Sequence, residues 1–187
     1  MNLLSSRIKT VTASAERLQF DFDNFFREHW ERLCNVVYRL TGDWDEAQDI
    51  ALETFIQIYQ QPPQDDRNLD GWLYRVATNR GLNSIRANRR RVLYERKQVY
   101  IDSVQTQSND FTEKIELNQE QEMVRDALSN INNRSARLLV LRHSGFSYQE
   151  LAGVFNISRN SIGTLLVRAE REFESAYMKL TGQEEEQ

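Results

Sequence analysis

Apolar side chains return every three or four positions from Phe22 onward: Phe22, Phe25, Phe26, Trp30, Leu33, Val36, Val37 and Leu40. That spacing predicts an amphipathic helix, and Gly42 suits the position just past its end. Asp43, with Glu46 three residues on, reads as the N-cap of a second helix whose free amides it satisfies. This helix runs to about Gln60, with Ala47, Ile50, Ala51, Thr54, Phe55 and Ile58 on its apolar side. The stretch Gln61 to Asn68 holds Pro62 and Pro63, the only prolines of the chain, and reads as a loop. A third, long helix follows from about Leu69 or Asp70 into a cluster of arginines.

From roughly Gln98 to Glu113 the periodicity decays into Ser103, Gln105, Thr106, Gln107, Ser108, Asn109 and Asp110, which predicts a flexible linker. It returns with Ile115, Leu117, Met123, Ala127, Leu128 and Ile131. Asn133 is placed to cap a helix from Arg134 to about His143, and Gly145 supplies a turn. Ser147-Tyr-Gln-Glu150 is a capping box opening a short helix through Phe155. Asn156-Ile157-Ser158 forms a tight turn, with Ser158 placed to cap the last helix. No strand-like stretch remains. The expected fold is all-α: two small helical domains, at 21–97 and 115–182, joined by a flexible linker at 98–114. An N-terminal extension (1–20) and an acidic tail (183–187) flank them.

Charge sharpens this picture. The 187 residues carry a net charge of −4, which argues against a bulk polycation. Residues 1–66 hold six basic and twelve acidic side chains, and residues 98–187 hold nine and fourteen. Between them, residues 67–97 hold nine basic side chains against Asp70 and Glu95. A basic island inside an acidic chain fits either a local polyanion contact or a solvated helix face. One cysteine, Cys34, excludes an intramolecular disulfide and fits a reducing cytoplasm. No apolar run reaches the ~18 residues of a membrane span, and residues 1–20 lack the apolar core of a secretory signal.

Two constellations could carry chemistry. The last two helices and their three-residue turn have helix-turn-helix spacing, with Ala152 small enough for a close crossing and Ile157 placed to plug the gap beneath the turn. Ile162, Leu166, Ala169 and Phe173 form the inward stripe. Arg159, Asn160, Ser161, Gly163, Thr164, Val167, Arg168 and Arg171 then face outward, polar side chains at base edges and Arg168 and Arg171 at phosphates. An ordinary helical hairpin fits the same pattern. On the third helix Arg75, Asn79, Asn83, Arg86 and Arg90 fall within roughly 80° of one another, a stripe able to follow a phosphate backbone. Trp72 and Tyr74 are placed either to stack on unpaired bases or to fill the core. There is no P-loop, Gly-rich nucleotide fingerprint or His/Cys cluster, so neither cofactor nor small-molecule substrate is expected.

Taken in order, these segments resemble the bacterial extracytoplasmic-function sigma factors, two-domain transcription initiation factors. The resemblance covers roughly Phe22 to Tyr177. Asp45-Glu-Ala-Gln-Asp-Ile-Ala-Leu-Glu-Thr-Phe-Ile-Gln-Ile-Tyr59 is similar to region 2.2, which docks on the clamp helices of the polymerase β′ subunit. Gly71-Trp-Leu-Tyr-Arg-Val-Ala-Thr-Asn79, continuing to Arg91, resembles regions 2.3 and 2.4, which open and read the −10 element. Phe146-Ser-Tyr-Gln-Glu-Leu-Ala152, Ile157-Ser158 and Arg168-Ala169 resemble region 4.2, which reads the −35 element.

The resemblance implies that Asp49, Glu53 and Gln57 face polymerase, and that Asn68, Trp72, Arg75, Asn79, Asn83, Arg86, Arg89 and Arg90 serve the −10 element. The loop from Gln61 to Asp70, over Asn79, would form a pocket for a flipped base. Arg159, Asn160, Ser161, Thr164, Arg168 and Arg171 would serve the −35 duplex. Implied partners are core RNA polymerase (β′ clamp helices and β flap), promoter DNA and an anti-sigma factor, which could hold the chain at the membrane without insertion. The chain departs from the family pattern at Leu52, often glutamine, at Asn83, often aspartate, and at Gly163 and Leu165, commonly lysine or arginine. Fewer cations on the recognition helix imply weaker phosphate binding and a shallower salt slope. A stand-alone helix-turn-helix regulator is the alternative, predicting duplex binding without polymerase.

Overall fold

The structure, a computed structural model, describes residues 21–63, 68–102 and 112–182, with backbone alone over 92–102 and 112–118. The expected N-terminal extension, loop residues 64–67, linker residues 103–111 and the acidic tail lie outside the described residues. Seven helices make up the rest: α1 (Phe22–Thr41), α2 (Trp44–Gln60), α3 (Leu69–Asp102), α4 (Thr112–Asn130), α5 (Asn133–His143), α6 (Tyr148–Phe155) and α7 (Arg159–Thr181). Among the described residues there is no strand, and no helix is long and apolar enough to cross a membrane.

Local chemistry sets most of the boundaries. Asp21 caps α1 by accepting from the Asn24 amide at 3.0 Å. Gly42 ends α1 in the left-handed region at φ 71°, donating its amide to Tyr38, a conformation glycine adopts without steric cost. Asp43 caps α2 through the amides of Asp45 and Glu46. Glu46 does not complete a capping box; its carboxylate turns across to accept from the Ser84 hydroxyl of α3. The expected cap of α5 shifts by one residue, because Asn132 accepts from the Arg134 amide and leaves the Asn133 side chain to accept from Arg86. At α7, Ser158 occupies the cap position but makes no cap bond; its hydroxyl pairs with that of Ser161 at 2.8 Å.

The linker is shorter than its composition suggests. Helix α3 continues through Asp102 and α4 begins at Thr112, so both ends of the expected 98–114 segment are helical. Gln98-Val-Tyr-Ile-Asp102 contains no glycine or proline to stop the helix.

The first lobe packs α1, α2 and α3 around Leu33, Val36, Val37, Leu40, Ala47, Ala51, Phe55, Ile58, Leu73, Ala77 and Leu82, all at most 1% exposed. The second packs α4 to α7 around Ala127, Ala136, Leu138, Leu141, Leu151, Ile162 and Ala169. The two lobes share one continuous apolar core. Helix α3 joins them, lying against α1 and α2 as well as α4, α5 and α6. Its length alone, ~1.5 Å per residue, lets one rod reach both.

Gly81 shows how closely α1 and α3 approach. A Cβ there would lie 2.9 Å from Leu40 Cδ1 and 3.3 Å from Leu40 Cβ, and Leu40 is fully buried. We predict that Gly81→Ala lowers stability by about 1–3 kcal/mol through overpacking, despite the ~1 kcal/mol that alanine gains in helix propensity. Urea denaturation monitored by circular dichroism checks the sign.

Candidate nucleic-acid and partner interface

Three surfaces gather the residues singled out by sequence. On α2, Asp49, Glu53 and Gln57 share one side. Arg80 of α3 salt-bridges the Glu53 carboxylate and donates to Gln57 Oε1 at 3.0 Å, so two of the three are tied to the neighbouring helix while Asp49 stays exposed. Beside them runs an apolar stripe that the sequence reading did not single out: Leu52, Ile56 and Tyr59, 45%, 43% and 62% exposed. Their i, i+4, i+7 spacing on a helix with a second apolar side was the signal available. Contiguous exposed apolar surface of this kind marks interaction sites.

The α3 set divides. Tyr74 is 1% exposed and belongs to the core, hydrogen-bonded to His29 Nδ1 at 3.2 Å; base stacking by this ring is therefore excluded in this arrangement. Trp72 is half-buried against the core. Asn68 caps α3, its Oδ1 accepting from the Gly71 amide at 3.0 Å, and its Nδ2 donates to the Gly153 carbonyl of α6 at 2.5 Å. Arg75 and Asn79 are half-buried, and Asn83 and Arg90 are exposed. Arg86 donates to the carbonyls of Ser129 at 2.9 Å and Ile131 at 3.1 Å. Arg89 donates to Ser129 Oγ at 3.1 Å and to Asn130. These groups lie at the C-terminal end of α4, where orphan carbonyls attract cations. Arg137 of α5 has its pKa lowered by burial first, then by the charges of Arg75 and Arg134.

The helix-turn-helix is formed as expected. Asn156 turns the chain at φ 51°, Ala152 and Ile162 are buried at the crossing, and Ile157 packs against the core. Arg159, Asn160, Ser161, Thr164, Arg168 and Arg171 are all exposed along α7. Arg89, Arg168, Arg171 and Lys179 line one groove of about 910 Å³ with Asn130 and Glu172, so the closed packing brings a cation of α3 beside those of α7.

A joint that sequence did not reveal fixes the two lobes. The Phe146 ring meets Tyr74 edge-on, centroids 4.7 Å apart, and the Arg32 guanidinium lies 3.8 Å over its face. Arg32 also donates to Glu150 Oε1 at 2.6 Å. Burial would raise the Glu150 carboxyl, but the bonds from Arg32 and from the Ser147 amide and hydroxyl outweigh it and bring the group down to about 2.

Known proteins share this architecture. The family model described as Sigma-70 region 2 matches residues 25–91. SigE of Mycolicibacterium smegmatis, an extracytoplasmic-function (ECF) RNA polymerase sigma factor, is 33% identical over 66 residues, 35% of this chain and 26% of that protein. SigW of Bacillus subtilis, also an ECF sigma factor, is 35% identical over 86 residues, 45% of this chain and 44% of that one. The chain thus spans less than half the length of these two relatives. YlaC of Bacillus subtilis, an RNA polymerase sigma factor, is 25% identical over 162 residues, 84% of this chain and 92% of the other. The structure of CnrH in complex with the cytosolic domain of CnrY has the same fold, with a TM-score of 0.51 at 20% identity, over 88% of this chain and 92% of that one. Residues 25–91, most of the α1–α3 lobe, are thus similar to sigma-70 region 2. Beyond that segment the likeness to RNA polymerase sigma factors continues over 84% of the chain at 25% identity.

The Ser147–Glu150 box both starts α6 and anchors the Arg32 joint. Ser147→Ala should cost about 1 kcal/mol of stability. Because the Glu150 pKa is depressed, its contribution is present above the ordinary carboxyl value of 4.5 and is lost as pH falls toward about 2. Glu150→Gln should flatten the acid dependence in that window. The group is half-exposed, so solvent screening keeps this effect below about 1 kcal/mol. Urea titrations of both variants across pH check the two effects.

Proposed function

We propose that this protein binds core RNA polymerase and directs promoter-specific initiation. The observation that carries this reading is the coexistence of three separate surfaces on one small helical chain: the apolar and acidic side of α2 for a protein partner, the arginine row of α3 for strands of the −10 element, and the exposed polar face of α7 for the −35 duplex. In this reading its contribution is to hold and position.

On α2 the Leu52–Ile56–Tyr59 stripe supplies apolar area and Asp49 and Glu53 supply charge for the β′ clamp helices. On α3 Asn68, Trp72, Arg75, Asn79, Asn83, Arg86, Arg89 and Arg90 form the −10 surface, guanidinium groups on phosphates and amides on bases. On α7 the Ser158 side chain makes no cap bond, with Arg159, Asn160, Ser161 and Thr164 near base edges and Arg168 and Arg171 on the backbone. An anti-sigma factor is the expected regulator, covering these surfaces. Residues 21–97 and 115–182 are the corresponding functional units, and the cytoplasm is where such a factor would act.

Run-off transcription with bacterial core enzyme on candidate promoters tests the assignment, with stimulation expected and the absence of both stimulation and core binding overturning it. Ile56→Asp, which changes an exposed residue, should weaken core binding at least about tenfold, or ~1.4 kcal/mol, while leaving the circular dichroism spectrum unchanged. A stand-alone regulator would instead shift duplex DNA in gels without polymerase and be indifferent to this substitution.

A further inference from the structure

Toward the start of α2 the Leu52–Ile56–Tyr59 stripe is continued by Asp49 and Asp45, so one exposed row runs through positions 45, 49, 52, 56 and 59, acidic at one end and apolar at the other. Helix α2 carries Asp45, Glu46, Asp49 and Glu53 and no basic residue. Residues 1–20, outside the described residues, repeat the same steps: Leu4, Ile8, Val11, Ala15 and Leu18 stand at intervals of four, three, four and three. On a helix these five would share an arc of about 80°. A row repeating every ~3.5 residues is the seam along which two parallel helices pack, with charges at its borders setting the pairing. The segment holds Arg7, Lys9 and Arg17 against Glu16 alone, a charge opposite to that of α2.

The described chain begins beside this row. The Phe22 ring meets Tyr59 with centroids 5.3 Å apart and Phe55 edge-on at 6.3 Å. Because α1 and α2 are joined by the short turn at Gly42 and Asp43, this contact sets them antiparallel. Asp21 lies outside the helical region, at φ −72° and ψ 89°, so a helix cannot pass through it into α1. Gln19 to Asp21 leave three residues between Leu18 and Phe22, within the ~2–8 of ordinary helix–helix connections. A segment laid parallel to α2 from that turn sets Leu18 at Tyr59, Ala15 at Ile56 and Val11 at Leu52. In the same register Arg7 borders the seam where Glu53 borders it on α2, the pairing that parallel helices use. Glu53 already meets Arg80, and its side chain is still 63% exposed.

We propose that the α2 stripe is the docking surface of the chain's own residues 4–18, which lie parallel along it in the free protein, and that core polymerase gains the stripe only by displacing them. The covering rests on the matched spacing, the opposite charge and the place where the described chain begins. Its meaning as competition with polymerase rests on the functional assignment above. One apolar row cannot serve two partners at once, so the two states exclude each other.

Disulfide trapping in the full-length chain tests the covering without polymerase. Ala15→Cys with Ile56→Cys joins two positions that face each other, whereas Ala13→Cys with Ile56→Cys sets the first thiol on the far side of the same segment. The native Cys34 is buried. Because a disulfide needs close and facing Cβ atoms, a mild oxidant should close the first pair on the order of tenfold faster than the second, read by mass spectrometry of linked peptides. A second readout needs no cross-link: with Ile56→Cys alone, iodoacetamide should label the exposed position several-fold faster once Val11→Asp is added. Equal closure of the two pairs overturns the proposal. Linked peptides found only between chains overturn it as well, by making the occupant a second copy. Val11→Asp should also tighten binding of core enzyme, about tenfold where the stripe is free about a tenth of the time. Unchanged core affinity in a chain that traps the first pair overturns the competition. A chain that traps the pair yet binds no core enzyme, with or without Val11→Asp, counts against the functional assignment and not against the covering segment.

Discussion

Phe146 lies in the turn between α5 and α6, yet its ring is 1% exposed because Tyr74 and Arg32 of the other lobe cover it. Fully burying such a ring is worth about 1.5–3 kcal/mol, and edge-on packing with a guanidinium over the face adds to it. The ring places α6 against α3, which brings Gly153 to Asn68 and the end of α4 to Arg86 and Arg89. Tyr74 is in turn held by His29, whose Nε2 lies 3.3 Å from Asp70. The joint thus runs from the first turn of α3 through the core of the first lobe into the helix-turn-helix. Beside it, Arg86 and Arg89 tie α3 to the end of α4.

Helix α3 bears two demands that are rarely compatible. Its buried rows, Leu73, Ala77, Gly81 and Ile85 beside Tyr74, Thr78 and Leu82, must fit against α1 and α2. The arginines between and beyond them must keep their charge hydrated or paired. Half-buried Arg75, Asn79 and Arg86 accordingly run beside the buried rows instead of opposite them. The same placement explains why the arginines find the α4–α5 corner: a row of cations beside an apolar face meets whatever that face packs against, and the orphan carbonyls at a helix C-terminus satisfy them.

The helices themselves were legible because their signals are local. Gly42, Asp43 and Ser147 mark boundaries that the backbone then adopts, and the three- and four-residue recurrence of apolar side chains locates the cores. The misplaced details are competitions between equivalent donors and acceptors. Asn132 and Asn133 are both able to cap α5, and the choice is made by Arg86, forty-seven residues earlier in the chain. Ser158 satisfies Ser161 instead of the amides of α7. Glu46 prefers the Ser84 hydroxyl of α3 to its own capping box. Two of the three outcomes depend on a partner far away in the sequence, and the third on a choice between hydroxyl and amide three residues apart.

The candidate site was legible as an inventory but not as an arrangement. Sequence identifies Arg75, Arg86, Arg89 and Arg90 as a basic row, and nothing in a linear pattern distinguishes a cation waiting for phosphate from one already holding a carbonyl. Fold comparison has the same limit, since likeness of fold does not say which donors are occupied. The distinction matters because the acidic blocks flanking the island already oppose non-specific DNA contact. A recognition helix carrying Gly163 and Leu165 in place of cations weakens it further. Saturating Arg86 and Arg89 internally acts in the same direction by a different physical route, hydrogen-bond competition at short range instead of long-range repulsion. Salt separates the two: screening relieves repulsion between the acidic blocks and DNA within about 10 Å at 0.1 M, whereas the part-buried guanidinium–carbonyl bonds of Arg86 respond less to ionic strength.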